Sequence, residues 1–241
     1  ATMALARSTA RPRLAPGMVL LGVDDASNPL ALDMTKATNT HAAVIGMTGS
    51  GKTTLLLTMA LSALQIGHVS VALFDPVGDL SPLSGHLSIW RGGLFREAGD
   101  IEAGLMELAG QIGRPTSGRL LCVIDELPLL IAQRPPIRDL VGRLAQAGRH
   151  AGIHLLIGSQ HAIGSELGAA TWRNIPARIV GRVSDANTAY NAAGVAGTGA
   201  EKLPGSGAFV YVNSGMMVHF QAPLIDKATL DNWTAHYPPR P

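Results

Sequence analysis

Short apolar runs alternate along this chain with longer segments in which apolar residues recur at helical spacing. Each short run has the length of a buried strand, and each longer segment is typical of a helix that covers a sheet. The alternation predicts an α/β fold with a mostly parallel sheet and helices on both faces. Near the start, two shorter runs flank a turn and predict a small N-terminal β-hairpin. The predicted strands cover residues 19–23, 30–32, 41–45, 69–74, 119–124 and 153–158, and the predicted helices cover residues 54–61, 100–112, 136–150 and 226–236.

These elements divide the chain into three parts. Residues 1–16 carry three arginines and two prolines, which is typical of a flexible basic arm. Residues 17–225 hold the hairpin and the alternating pattern, so they form the predicted α/β domain. Residues 226–241 contain the last predicted helix and a proline-rich tail.

Composition narrows the class of protein. Of the 241 residues, 46% are hydrophobic and 15% are charged, which supplies enough apolar side chains for one large core. The most apolar stretch, residues 55–64, is interrupted by Thr58 and Ser62 and is too short to span a bilayer. Since no signal peptide is visible, we expect a cytoplasmic protein without direct membrane insertion. The single cysteine, Cys122, excludes an internal disulfide, and a net charge of +2 does not by itself indicate nucleic-acid binding.

Residues 46–53 have the sequence Gly-Met-Thr-Gly-Ser-Gly-Lys-Thr and match the phosphate-binding P-loop pattern G-x-x-x-x-G-K-[ST]. They lie where this motif must lie, between a predicted buried strand and a predicted helix. The glycines let consecutive backbone N–H groups curl around phosphate oxygens, and the helix N-terminus adds partial positive charge. In this pattern Lys52 reaches the β- and γ-phosphates, and the Thr53 hydroxyl ligates Mg²⁺. We therefore predict that ATP and Mg²⁺ bind at Gly46, Thr48, Gly49, Ser50, Gly51, Lys52, Thr53 and Thr54.

Two carboxylates follow a later strand. Residues 120–124 are apolar, and Asp125 and Glu126 emerge at the end of this run in the manner of a Walker B motif. We expect Asp125 to hold Mg²⁺ and Glu126 to orient or activate the attacking water. Gln160 follows the next strand and is either a polar sensor of the γ-phosphate or an ordinary strand-end amide. Because ligands of parallel sheets bind beyond the carboxyl ends of the strands, these residues and the P-loop are predicted to form one site.

Two arginines, Arg143 and Arg149, lie on the helix before the last of these strands or at its end. Two interpretations of them remain open. An arginine supplied by a neighbouring subunit can neutralise the charge that develops during phosphoryl transfer. Alternatively, arginines near helix ends are often solvated or pair with the helix carbonyls.

Three longer runs resemble the FtsK/SpoIIIE family of DNA translocase motors, within the FtsK-HerA superfamily of P-loop ATPases. Residues 140–160 are similar to a family run A-R-L-A-Q-x-A-R-A-A-G-I-H-L that ends in T-Q-R-P. Residues 174–179 resemble the family's N-I-P-x-R-I, and residues 199–207 resemble its G-A-x-x-L-x-G-x-G. The similarity covers residues 17–225, and these runs are far more specific than a P-loop alone.

The resemblance implies a RecA-like motor that assembles as a hexameric ring, with double-stranded DNA in its pore and ATP bound between subunits. Arg149 matches the family arginine that we take as the finger acting in trans. Arg178 matches another family arginine near the subunit interface, and we assign it to nucleotide binding. By matched position, Lys52 and Thr53 are the Walker A residues. Asp125 and Glu126 are the Walker B pair, and Gln160 is the sensor.

Two segments depart from the translocase pattern and keep three functional hypotheses open. Residues 159–162 are Ser-Gln-His-Ala in place of T-Q-R-P, and residues 75–79 are similar to the D-P-x-G-D of HerA and type IV secretion ATPases. The first hypothesis is an ATP-driven double-stranded DNA translocase with pore segments at residues 159–171 and 82–93. The second is a protein-translocating secretion ATPase of the same superfamily. The third is a nucleotide-gated assembly module with little turnover.

Overall fold

One ten-stranded sheet organises the part of the chain that the computed structural model describes, namely residues 14–15, 17–36, 41–66, 69–84, 89–114 and 118–235. Its spatial order is β2-β1-β10-β9-β8-β3-β7-β6-β4-β5. The six strands from β8 to β5 are parallel, and the other four join them antiparallel, which confirms the predicted mostly parallel sheet. The strands are β1 (Met18–Asp24), β2 (Pro29–Asp33), β3 (Ala42–Ile45), β4 (Val69–Phe74), β5 (Ile89–Phe95), β6 (Arg119–Ile124), β7 (Ile153–Ser159), β8 (Ala177–Val180), β9 (Ala208–Asn213) and β10 (Met216–Gln221).

Helices cover both faces of this sheet. One face packs against α1 and against Trp233 of the C-terminal helix, and the other packs against α2, α3 and α4. Because both faces are covered, the central strands are buried along their whole length and read as continuous apolar runs. The helices are α1 (Lys52–Leu64), α2 (Ala98–Ala109), α3 (Leu127–Gln133), α4 (Pro136–Ala147), α5 (Gly164–Leu167), α6 (Ala169–Arg173), α7 (Ala186–Ala193) and α8 (Lys227–Ala235).

The predicted elements up to Gly158 are confirmed, including the hairpin, in which Met18 lies opposite Asp33 and Val23 opposite Pro29. Strand β1 of the hairpin also pairs with β10, so the hairpin extends the main sheet. The pattern of apolar and polar residues in the sequence did not predict β5, β8, β9 or β10. Strand β5 occupies the end of the segment 82–93 that was a predicted pore loop. The predicted C-terminal helix is confirmed as α8, whereas residues 1–13 and 236–241 lie outside the described residues.

None of the helices in the described ranges has the length and apolar character needed to cross a membrane. The longest of them, α1, has 13 residues.

His41, just before β3, is buried as a neutral ring. Its Nδ1 accepts a hydrogen bond of 3.0 Å from the Leu155 N–H, and the Ala145 carbonyl also bonds to the ring. Burial, assisted by the positive field of the neighbouring His154, lowers the pKa of His41 from 6.5 to about 3. A proton on Nδ1 would break the bond to Leu155, so this end of the sheet requires the neutral form.

We expect the free energy of unfolding to fall as the pH is lowered from 6.5 toward 3. The unfolded chain binds a proton on His41 near pH 6.5, whereas the folded chain resists that proton until about pH 3. The loss from one such group is about 1.4 kcal/mol per pH unit. Urea unfolding at about pH 7, 6 and 5 measures this slope. The variant His41→Gln should flatten it, the exposed-site control His161→Gln should keep it, and equal slopes in both variants would contradict the assignment.

Candidate nucleotide-binding and catalytic site

The P-loop connects β3 to α1 and places free backbone N–H groups at the helix N-terminus. Gly49 and Gly51 have φ values of 81° and 95°, a left-handed conformation that glycine adopts without steric cost. The first hydrogen bond of α1 runs from the Leu55 N–H to the Gly51 carbonyl, so the preceding N–H groups have no acceptor within the helix. The first turn of α1 holds no acidic residue. These N–H groups and the helix dipole therefore favour an anion.

A turn from the far end of the chain supports the P-loop from behind. The Ser206 N–H donates to the Gly49 carbonyl over 3.0 Å, and the Gly207 N–H donates to the Ser50 carbonyl over 2.8 Å. A Cβ on Gly51 would lie 2.7 Å from the Gly207 nitrogen, so the two backbones approach this closely only because Gly51 has no side chain. The sequence interpretation missed this role, although the run at 199–207, which includes Ser206 and Gly207, was the available signal.

The Ser50 side chain is buried against Gly46 and Gly181, the residues that follow β3 and β8. Its hydroxyl has no hydrogen-bond partner among the described residues. A Cβ on Gly46 would lie 2.5 Å from that oxygen, and one on Gly181 would lie 3.0 Å from the Ser50 Cβ. The Ser50 N–H donates to the Met47 carbonyl. Ser50 thus packs the P-loop against the sheet.

Lys52 bonds both predicted Walker B carboxylates. Its Nζ donates to Asp125 Oδ1 and to Glu126 Oε1, each over 2.6 Å. Asp125 fits beside β7 because Gly158 has no side chain: a Cβ there would lie 2.1 Å from Asp125 Oδ1. The structure thus brings together residues that are more than 70 positions apart in sequence.

Burial and charge act against each other in this cluster. Burial alone would lower the pKa of Lys52, but the charges and hydrogen bonds of Asp125 and Glu126 outweigh it and raise that pKa. Burial raises the pKa of Asp125, and Lys52 offsets this only in part. Lys52 therefore stays protonated, as a lysine that binds phosphate must.

Gln160 joins the carboxylate cluster to the P-loop. Its Nε2 donates to Glu126 Oε1 over 3.0 Å, and its Oε1 accepts from the Thr48 hydroxyl over 3.2 Å. Glu126 itself has a φ of 48°, a left-handed conformation that is uncommon for a residue with a side chain. Such strained positions cluster at functional sites, and here the strain sets the Glu126 carboxylate beside Lys52 and Gln160.

The oxygen atoms that remain free suit Mg²⁺. Asp125 Oδ1 accepts from Lys52 and from the Glu126 N–H, while no bond to Oδ2 is recorded among the described residues. The Thr53 hydroxyl, on the first turn of α1, likewise makes no hydrogen bond there. Mg²⁺ prefers such oxygen ligands and keeps several waters, so these two side chains, with substrate phosphates, match its requirements. Thr54, which was also predicted to contact the nucleotide, is the next residue on the same helical turn.

Arg149 and Arg178, the two arginines assigned to the site by the family resemblance, lie apart from this cluster within their own protomer. Arg149 is exposed on a 3₁₀ turn (Gly148–Ala151) that precedes β7, whereas Gln160 follows the opposite end of that strand. Arg178 lies on β8, its guanidinium 4.2 Å from the Trp172 ring and bonded to the Trp172 and Ala193 carbonyls. Both arginines therefore remain predictions for contacts across a subunit interface.

Asp75 also ends a strand but does not project into the site. It is fully buried, and its two carboxylate oxygens accept from the Val77 and Leu80 N–H groups over 2.9 and 2.8 Å. This carboxylate holds the turn at residues 75–80, so the D-P-x-G-D similarity has a structural basis at its first position.

The fold and this cluster define a P-loop nucleoside-triphosphatase domain. A family model described as "Helicase HerA, central domain" matches residues 16–107. The DNA translocase SftA of Bacillus subtilis is 30% identical over 95% of this chain and 27% of its own length. The DNA translocase FtsK of Caldanaerobacter subterraneus subsp. tengcongensis is 28% identical over 90% of this chain and 35% of its own length. The chain belongs to the FtsK-HerA family, as the resemblance implied.

Solved structures agree on the fold. The cytoplasmic domain of the Thermomonospora curvata type VII secretion ATPase EccC has a TM-score of 0.76 at 21% identity, covering 95% of this chain and 32% of that chain. The pCW3 conjugation coupling protein TcpA, as a monomer with ATPγS, has a TM-score of 0.76 at 21% identity, covering 93% and 71%. This chain spans about a third or less of the length of the two curated relatives above.

Proposed function

We propose that this chain hydrolyses ATP at the Lys52 cluster and couples hydrolysis to the movement of double-stranded DNA through a hexameric ring in the cytoplasm. The observation that carries the proposal is the contact of Lys52 with both Asp125 and Glu126, with Gln160 bonded to Glu126. A phosphate-binding lysine, a candidate base and a candidate sensor thus lie within hydrogen-bond reach of one another. The relatives named as DNA translocases supply DNA as the polymer.

Each side chain of the cluster has a proposed role. Lys52 and the N–H groups of the first turn of α1 bind the phosphates of ATP. Thr53 and Asp125 hold Mg²⁺, which when bound neutralises phosphate charge. Glu126 accepts the proton of the attacking water, and Gln160 orients that water. The P-loop glycines leave room for the phosphates, and Thr48 holds Gln160 in place.

The ring is proposed from the position of Arg149. Strand β7 has seven residues and spans about 20 Å, and it separates Arg149 from the edge that holds Gln160. A single protomer therefore cannot bring Arg149 to its own P-loop. A head-to-tail contact brings it to the P-loop of a neighbour, and such heterologous contacts form a ring when the rotation between subunits closes. Arg178 would have to give up its contacts with Trp172 and the Ala193 carbonyl to meet the neighbour's nucleotide.

The test of this function is ATP turnover with and without DNA. We expect linear duplex DNA to raise the rate of phosphate release, and we expect duplex binding to weaken steeply with salt because the contacts fall on phosphates. Phosphate release and electrophoretic mobility shift at low and moderate salt measure both, with Lys52→Ala as the inactive control. An assembled ATPase whose rate ignores DNA and that binds no duplex would instead favour a protein-translocating motor. A ring that binds ATP but hardly turns over would favour an assembly module.

A further inference from the structure

A groove of about 510 Å³ lies on the helix-covered flank of the sheet, between α4 and α6, outside the nucleotide site. Leu167 and Ala170 are apolar residues of its lining, and most of the other lining residues are polar or charged. A Cβ on Gly142 of α4 would lie 3.2 Å from the Thr171 hydroxyl of α6, so the glycine lets the two helices approach closely. The groove is lined by Arg138, Asp139, Gly142, Arg143, Gln146, Leu167, Ala170, Thr171, Arg173 and Asn174.

The lining side chains from α4 share one face of that helix. The opposite face, including Ile137, Leu140 and Leu144, is buried against the sheet. From Arg138 to Gln146 the helix rises about 12 Å. A DNA strand carries one phosphate about every 3.4 Å along the duplex axis, so the groove is long enough to follow several phosphates.

The charges of the groove are mostly positive and unpaired. Arg138, Arg143 and Arg173 are exposed and form no ion pair among the described residues, and Asp139 is the one carboxylate in the lining. By contrast, Arg91 pairs with Glu107 and lies over the Trp90 ring, and Arg96 donates to the Val77 carbonyl. The arginines of the predicted pore segment 82–93 and its flank are therefore engaged inside the protomer, whereas those of the groove are free to bind a ligand.

We propose that this groove binds the phosphate backbone of duplex DNA. The guanidinium fork of arginine matches the paired oxygens of a phosphate, and the side chains of Gln146 and Thr171 add neutral donors of the kind that contact DNA backbones. Asp139 disfavours anions in general, but the three arginines exceed it by two charges. The inference rests on the proposed function, which supplies DNA as the polymer. It joins the end of the predicted pore segment 159–171 to a face of α4 that the sequence analysis did not indicate as a DNA contact.

The experiment compares two double variants that remove the same charge. Arg138→Ala with Arg173→Ala alters the groove, and Arg91→Ala with Arg96→Ala is the matched control. Equilibrium binding of a fluorescent linear duplex is measured over a range of salt concentrations, with thermal unfolding as the check on folding. We expect the groove variant to bind more weakly and to lower the slope of log affinity against log salt by about 1.8, because each lost phosphate contact contributes about 0.9. The control should keep the wild-type slope, and the pair Arg138→Lys with Arg173→Lys should retain most of it.

Each other outcome has a definite meaning. If wild type binds duplex and the groove variant binds equally well, the groove assignment is overturned while the proposed function stands. Equal losses in both double variants would show that net charge alone matters, and this also overturns the assignment. If wild type binds no duplex at any salt concentration, the proposed function itself fails. Binding of polyglutamate in place of DNA, lost in the groove variant, would mean that an acidic protein segment is the partner.

Discussion

Glu126→Gln should lower ATP turnover by about 10²- to 10⁴-fold while leaving ATP binding intact, which is the range that general acid–base catalysis supplies. Glutamine keeps the shape of the side chain and an oxygen that can accept from Lys52 and Gln160. It cannot accept the proton of water at neutral pH. Counted as formal charges, Lys52, Asp125 and Glu126 sum to −1, and the substitution brings this sum to zero. An anionic substrate should therefore bind at least as well.

Two measurements separate these effects. Single-turnover phosphate release reports the chemical step, and fluorescence titration with a labelled ATP analogue reports binding. Glu97→Gln is the matched control, because Glu97 is exposed at the start of α2 and its side chain makes no capping hydrogen bond. A turnover rate unchanged by Glu126→Gln would show that the base lies elsewhere, and Asp125 would be the next residue to examine.

Arg149→Ala should lower turnover by about 10³-fold or more in the assembled protein, the lower end of the range for an arginine finger. The same substitution should leave ATP binding by a protomer unchanged, because Arg149 is exposed and lies a full strand length from its own P-loop. Arg114→Ala provides a control, since Arg114 is also exposed and precedes β6 at the same edge of the sheet as Arg149. Turnover that survives in the Arg149 variant would remove the reason for proposing a composite site.

Mixing variants tests whether Arg149 acts across an interface. Subunits with Lys52→Ala cannot bind ATP productively but still present Arg149, and subunits with Arg149→Ala retain the whole Lys52 cluster. Neither variant alone should turn over ATP, whereas mixed assemblies should recover part of the rate at interfaces that combine the two intact halves. The mixing ratio should set the recovered fraction. Proven co-assembly without any recovery would indicate that Arg149 acts within its own protomer or only supports the fold.

Glu126 and Arg149, the residues substituted in these two predictions, lie at opposite edges of the sheet. The carboxyl edge holds the P-loop, the carboxylates and Gln160, and the amino edge holds Arg149. This division explains why the domain would need neighbours: one copy holds most of the site, and another completes it. The groove on the flank adds a third surface, so nucleotide, neighbour and DNA would each have a separate place on one protomer.

The site could be predicted from sequence because its parts are local motifs. The P-loop residues and the pair Asp125 and Glu126 each follow a run of buried strand residues, and their spacing is fixed within a few positions. Parallel strands place all their carboxyl ends at one edge, so three separate segments converge without knowledge of the strand order. The same argument placed Gln160 at this edge, where it forms hydrogen bonds with Glu126 and Thr48.

The second half of the sheet was harder to predict. Strand β8 has four residues, and β9 and β10 join through a two-residue turn at Ser214 and Gly215. β10 exposes Met216, Met217 and His219, so its pattern lacks the continuous burial that marked the central strands. Short and partly exposed strands are set by their partners more than by their own sequence, because strand propensity depends on neighbouring side chains.

The sequence by itself determined the class of fold and which side chains gather at the carboxyl edge of the sheet, because both depend on residues close together in the chain. Only the tertiary structure decided how Ser206 and Gly207 support the P-loop, how Gly158 makes room for Asp125, and which arginines remain unpaired. These features join segments tens to more than a hundred positions apart, and they depend on strand order, register and helix approach. Local spacing carries no information about such contacts, because the order of strands in the sheet differs from their order in the chain.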